Sequence, residues 1–320
     1  MLNEQFLERT KYLKESYYQK VVKDLKTSNV STWYSKVKRM SRVDSKESDI
    51  VQVHEIMHLP SSVQAEIIAE NFGKISNEYE PLKTEDVDLK SATNSTIYPL
   101  FEPFEIHKII TKMKNKKSTI LSDIPWRIIK VFSVELAETL ANIFNSCTIE
   151  GVWPQIWKDE IIIPIPKVYP PQSTDDLRRI SGTKYSSKIY ESLLSDFIIS
   201  DISAQIDNAQ YGNEKGLSTT HYLINMVHRI LTAVDKNNSE EKYAVIAQLA
   251  DWSKAFDRQD PNLGIDSFIR CGVRASLIPT LISFFQQRRM TIKWQGHLST
   301  TRDLPGGVPQ GNFLATSSTK

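Results

Sequence analysis

Residues 249–260 read LADWSKAFDRQD, and the run immediately before Asp251, residues 243–250, is YAVIAQLA. A short, β-prone, nearly all-apolar run predicts a central buried strand over 243–250, with Asp251 at its C-terminal end. A carboxylate so placed, followed by a tight turn, is where a metal-dependent phosphoryl-transfer enzyme puts a ligand. Capping is the commoner use of a lone Asp, so the neighbouring segments decide the reading.

Downstream, Asp260-Pro261 has the order of an N-cap followed by N1 and opens a helix ending near Gly272. A further helix is expected over 276–288. MTIKWQGHLSTTRDLP, residues 290–305, reads as two short strands joined around Gln295-Gly296. Upstream, Leu223, Val227, Ile230, Leu231 and Val234 keep helical spacing through 218–235. EIIIPIPK, from Glu160 to Lys167, is an apolar run with two prolines, which points to an edge strand. A helix over 133–149 should stop at Gly151. Before it, Ile106, Ile109, Ile110 and Met113 give another helical rhythm just after Pro103. Residues 60–100 carry Pro60, Pro81 and Pro99 around a polar middle and read as a linker.

These elements give a mixed α and β (α/β or α+β) chain, helix-rich in front and strand-bearing behind. Its expected divisions are a helical linker over 1–95, a second region over 96–240 and a third over 241–320. The length of 320 residues with 40% hydrophobic content allows a sizeable core. Forty Lys and Arg against thirty-eight Asp and Glu leave +2, so no overall excess of charge announces a partner. Positive charge is instead local. Residues 106–130 hold seven Lys and Arg against one Asp, and residues 1–50 hold eleven against seven acids. Cys147 and Cys271 cannot build a disulfide framework or a four-cysteine zinc site and read as buried free thiols. The first twenty residues are charged, with no secretory signal, and no apolar run reaches the ~18 residues of a membrane span, so the expectation is an intracellular protein without a membrane partner.

His54-Glu55-Ile56-Met57-His58 has the H-E-x-x-H spacing of a zinc hydrolase, and Glu78 lies at a distance that suits a third ligand. Pro60 threatens the helix that would have to carry both histidines, and the flanks are polar. The expectation is therefore a solvated segment and no zinc.

Five blocks carry a stronger signal. They are WKDEIIIPIPK (157–167), LRRIS (177–181) continued by SKIYE (187–191), QYGNEKGLSTTHYL (210–223), DWSKAFD (251–257) and LPGGVPQG (304–311). Together and in this order they resemble the fingers and first palm motifs of the reverse transcriptases of non-LTR (LINE-type) retrotransposons. ISNEYEPL (75–82) resembles the segment such elements place between endonuclease and polymerase. The resemblance implies a right-hand polymerase, with the fingers over 96–240 and part of the palm over 241–320. The implied reaction is two-metal nucleotidyl transfer by an RNA-directed DNA polymerase, with RNA template, DNA primer and dNTP as partners and two Mg²⁺ (or Mn²⁺) as cofactors.

It further implies a role for each matching residue. Asp251 would bind the metal ions, with the Trp252 backbone as a further candidate ligand. Phe256 would pack against the incoming sugar and reject a 2′-hydroxyl. Gln310 would contact the nucleotide, while Gly307 and Gly311 let backbone approach it. Lys167 and Arg178 would clamp the triphosphate. Lys112, Lys114, Lys116 and Lys117 would track nucleic-acid backbone.

The chain departs from the pattern at Arg179, where the motif has Pro, at Ile120 to Asp123 for Gly-Pro-Asp-Gly, and at Asn312 for Ser. No aromatic-x-Asp-Asp occurs in the 320 residues, so truncation before that hairpin, and weak or absent catalysis by this chain alone, are expected. Asp257 and Asp260 read as turn caps. The alternatives are a non-catalytic RNA-binding remnant and, further off, the zinc hydrolase.

Overall fold

The alternation in EIIIPIP makes a strand whose faces differ. In a computed structural model of the chain, β1 (Asp159–Pro166) buries Glu160, Ile162 and Pro164 and leaves Ile163 and Ile165 exposed. The structure describes residues 11–12, 15–16, 19, 51–89, 97–114, 123–207, 209–212, 216–235, 244–251 and 253–309. The chain divides into two units, Met1–Val51 and Gln52–Lys320. In the first, Lys11, Tyr12, Glu15, Ser16 and Gln19 are helical and exposed.

In the second unit β1 is not an edge strand. It pairs antiparallel with β2 (Leu177–Gly182) and parallel with β3 (Arg289–Trp294). The pairing with β3 ends at Ile162↔Ile292, whereas the prolines at 164 and 166 face only β2. Proline was a sound signal of missing pairing, but it applies to half of the strand. β4 (His297–Leu298) and β5 (Arg302–Asp303) also pair with β3, giving a mixed sheet. The β3–β4 turn is Gln295-Gly296, with φ of 48° and 85°, as a two-residue hairpin with left-handed central residues requires.

The stretch read as linker contributes a helix to this sheet. α1 (Ser61–Ser76) begins directly after Pro60 and buries Gln64, Ala65, Ile68, Ala69 and Ile75. The Trp294 indole donates to Gln64 Oε1 at 2.8 Å, and Thr300 Oγ1 donates to Glu66 Oε2 at 2.8 Å. Backbone and side-chain bonds from Thr300, with Arg302 beside them, hold the Glu66 carboxyl below its ordinary range despite the opposing pull of desolvation.

Most of the remaining helices contribute to the apolar core. α2 (Pro103–Lys112) starts from a reciprocal Glu102–Glu105 capping box with Pro at N1. α3 (Trp126–Val131) and α4 (Ser133–Glu150) follow, and α4 ends as expected at Gly151, whose φ is 65°. A Cβ there would lie 2.6 Å from Pro279 Cβ, so glycine is needed for space as well as for φ. α5 is Tyr185–Ile202, its first N–H capped by Asp123 Oδ2 at 2.9 Å. The 218–235 expectation corresponds to α6 (Thr219–Asp235), but none of its residues is buried, so its apolar stripe is not core among the described residues. α7 (Pro261–Arg270) and α8 (Ile278–Phe285) follow, and a one-turn helix, Gln155–Lys158, lies between α4 and β1. Tyr190 stacks on Phe144 at 5.0 Å and meets Trp153 at 4.8 Å, and Trp153 meets Phe284 at 4.9 Å. Burial pushes the Tyr190 phenol up, and Cys147, buried nearby, is pushed up to about 11. Cys271 is a free thiol too, but only half-buried.

The expected central strand is not formed. Residues 244–250 have no regular structure and are exposed, Ile246 by 91% and Leu249 by 88%. An apolar run is a strand only where neighbours pair with it, and no described residue pairs with this one. No described helix is long and apolar enough to cross a membrane.

One buried cation gives a pH dependence. Lys158 is 5% exposed, and burial followed by the nearby Arg288 charge lowers its pKa to about 8. Between pH 8 and the unfolded value of 10.5 the unfolded chain holds more protons, so stability should rise with pH across that window. The expected rise is on the order of 1–3 kcal/mol, and urea unfolding of Lys158→Met should show no such rise.

Candidate functional site

The β1–β2 connection is tied down by backbone bonds. Asp176 Oδ2 accepts from Gln172 N at 2.8 Å and Ser173 N at 3.1 Å, and Lys167 N donates to Asp176 O at 2.7 Å. The H-E-x-x-H segment is a tether for this loop. His54 N and Glu55 N donate to Pro171 O and Gln172 O, and Glu55 Oε2 accepts from Thr174 N at 3.1 Å. Residues 54–58 form a turn rather than an α-helix.

Against the loop lies the turn of residues 253–258. Lys254 has a left-handed φ of 56°, and its carbonyl accepts from Asp257 N and Arg258 N, both at 3.0 Å. The glycine segment packs on that turn through Gly307 N to Gln259 O at 2.9 Å and Val308 N to Phe256 O at 2.8 Å. Gly307 has φ +80°, and a Cβ there would lie 3.0 Å from Asp257 O, so this approach requires glycine. From the other side Ser76 Oγ donates to Gly306 O at 2.7 Å and accepts from Gly306 N at 2.9 Å. Tyr79 OH donates to Arg258 O at 2.7 Å. Ser76 and Tyr79 belong to the ISNEYEPL stretch, which thus bonds both to the glycine segment and to the end of the 253–258 turn.

Between loop and turn is a cavity of about 280 Å³. Lys167, Arg178 and Phe256, three of the expected residues, line it together with Arg179, Lys254, Asp175, Asp257 and Asn71. Arg178 is on the exposed face of β2 and Arg179 on the buried one, as a period of two dictates. Lys254 Nζ meets Asp175 Oδ1 at 2.9 Å, and Arg179 Nε meets Asp257 Oδ1 at 3.4 Å. Lys167 Nζ donates to Asp175 O at 2.8 Å. The Lys254 ammonium holds the Asp175 carboxyl below the usual carboxylate range, with Asn71 and Lys167 assisting against desolvation. Four cations facing two carboxylates suit a multiply charged oxyanion such as a phosphate chain.

Other expected residues lie elsewhere. Asp251 is exposed and does not line the cavity, and its expected place at the end of a buried strand fails with that strand. Lys112 and Lys114 are exposed at the end of α2. Trp252, Gln310, Gly311, Lys116 and Lys117 are outside the described residues. Asp260 is a cap, accepting from Asn262 N at 2.8 Å, whereas Asp257 faces Arg179 rather than capping its turn. Among the described residues no three His, Cys, Asp or Glu side chains converge as metal ligands. Asp251 alone does not amount to a two-ion site, which needs several carboxylates held around both ions. Sequence reasoning missed Lys254, Asp175 and Arg179 as cavity residues. The available signal was opposite charge in two blocks that the motif order brings together.

Three relatives share two thirds of the chain. It is 29% identical over 217 residues, 67% of its length, to the probable RNA-directed DNA polymerase from transposon X-element of Drosophila melanogaster. It is 27% identical over 220 residues, again 67%, to the probable RNA-directed DNA polymerase from transposon BS of the same species. The RNA-directed DNA polymerase from mobile element jockey, also of that species, is 28% identical over 214 residues, 66% of the chain. The chain spans 23%, 24% and 23% of these relatives' own lengths. No family model matches it.

Proposed function

We propose that this chain, whose homologues are RNA-directed DNA polymerases of mobile elements, is the nucleotide-binding portion of a reverse transcriptase. The observation that carries this reading is the cavity that joins Lys167 and Arg178 to Phe256. In this reading the cations take the triphosphate and Phe256 takes the sugar, while Gly307 keeps the facing backbone close. Asp251 would hold divalent ions, Mg²⁺ or Mn²⁺, together with carboxylates supplied from outside the described residues. Exposed Lys112 and Lys114 would follow template backbone, a contact that weakens as salt rises.

Two measurements on the purified chain test this. Equilibrium binding of dGTP should weaken about ten- to hundredfold in Lys167→Ala/Arg178→Ala, since charge-assisted bonds to phosphate are lost. Unchanged affinity would remove the reading. Primer extension on an RNA template with Mg²⁺ should give no incorporation from this chain alone. Incorporation that disappears in Asp251→Asn would overturn the expected inactivity and leave the nucleotide site standing.

A further inference from the structure

We propose that two ion pairs of opposite polarity, Lys254–Asp175 and Arg179–Asp257, form a clasp that positions Phe256 within the cavity. The inference rests on the reading of the cavity as a nucleotide site and adds residues that the motif resemblance does not supply. Arg179 stands where the resembling motif has proline, which offers no charge.

The geometry of the clasp is specific. Asp175 and Arg179 lie four residues apart, one on each side of the start of β2, while Lys254 and Asp257 lie three apart on the facing turn. The acid of one segment faces the base of the other at both points, at 2.9 Å and 3.4 Å. A slipped arrangement would set Arg179 against Lys254 and Asp175 against Asp257, so like charges oppose slippage. Phe256 is one of the two residues between the clasped Lys254 and Asp257, half-buried, with its carbonyl held by Val308 N.

The two pairs differ in strength and role. Lys254 and Asp175 are partly exposed, at 28% and 64% of their side chains, so their pair is screened by water. Arg179 is 3% exposed, and Asp257 28%. Arg179 Nε is buried without a hydrogen bond among the described residues, and it lies 3.4 Å from Asp257 Oδ1. An uncompensated buried guanidinium is unfavourable, so Asp257 is drawn toward β2 and Phe256 with it. Lys254, at φ 56°, is in a conformation that a non-glycine side chain adopts only when its surroundings impose it. The bond to Asp175 is one such imposition.

The clasp therefore fixes the separation of the ring at 256 from the cations at 167 and 178, that is, of the sugar end of a bound nucleotide from its phosphate end. Arg179 and Asp257 are positioning residues, and their loss should affect sugar discrimination more than phosphate affinity.

The test measures equilibrium binding of dGTP and GTP to the full chain, by titration calorimetry, for wild type, Arg179→Glu, Asp257→Arg and the charge-swapped double variant, with Phe256→Ala alongside. No turnover is required. Each single reversal should reduce the ratio of the two affinities about tenfold, as expected for a mismatched charge at a close pair. The double variant should recover it to within about threefold, and Arg179→Lys should retain most of it. Unchanged ratios in both single variants, or failure of a folded double variant to recover, overturns the clasp. If the reversals do not fold, Arg179→Met decides, since a retained ratio there overturns the clasp and a reduced one supports it. Failure of the underlying reading has a different signature, because wild type would then bind neither nucleotide, or Phe256→Ala would leave the ratio unaltered.

Discussion

Glu160→Ala is expected to lower the folding free energy by about 3–5 kcal/mol, the usual consequence of removing one partner of a buried ion pair. Glu160 and Arg288 expose 0% and 2% of their side chains. Arg288 Nε donates to Glu160 Oε1 at 3.0 Å, its NH2 group contacts the same oxygen, and NH1 donates to Phe284 O at 3.1 Å. Its guanidinium also lies over the Phe284 ring, 4.7 Å from the centroid. Without Glu160, Arg288 would remain buried beside Lys158 and without its hydrogen-bonded carboxylate. A urea unfolding curve should move to a lower midpoint with its slope preserved. The double replacement Glu160→Leu/Arg288→Met should come out close to neutral, because it removes both desolvated charges. A single-variant cost under about 1 kcal/mol would mean that water reaches the pair.

The second large effect should come from Trp153→Ala, at about 3–5 kcal/mol. Trp153 is 1% exposed and touches Tyr190, Phe284 and Trp157, with ring centroids 4.8, 4.9 and 6.1 Å away. It thereby links α5 with α8, and its backbone N–H donates to Ser283 Oγ at 2.8 Å. The surrounding rings are large and held from several elements, so the vacated space should not collapse. Trp153→Phe should cost clearly less. It keeps most of the ring contact and removes an indole N–H that has no acceptor among the described residues. Equal costs for the two variants would assign the effect to the backbone of residue 153 rather than to packing.

Legibility in the sequence followed the range of the interactions. Helices α4 and α7 and the turn at Gln295-Gly296 were readable because their signals are local, in the C-cap glycine, the Asp-Pro start and a residue pair that adopts positive φ. Helix α1 was not. It is bounded by Pro60 and polar sequence, and its buried face includes Gln64 and Ser76, whose partners Trp294 and Gly306 lie 230 residues on. Residues 243–250 had the composition of a core strand, yet a strand needs partners, and composition does not show whether they are present. In the candidate site, Lys167, Arg178 and Phe256 were picked out by resemblance, and all three line one cavity. The Arg179–Asp257 pair was visible only as a departure and a turn cap, because an ion pair between distant segments leaves no periodic trace.

The parallel pairing of Asp159 with Arg289 also sets a timetable. A ribosome adding ~5–20 residues per second needs roughly 7–26 s to move from one to the other. The β1–β2 hairpin can close early in that interval, since Pro166 pairs with Leu177 just past the loop. Helix α1 waits longer, because Ser76 meets Gly306 only after 230 further residues. Until then Ile68 and Ala69, buried in the finished protein, have no sheet to cover them. The cavity bounded by Asn71, Arg179 and Phe256 is thus among the last parts of the nascent chain to take shape, and the speed of translation governs how long its walls stay apart.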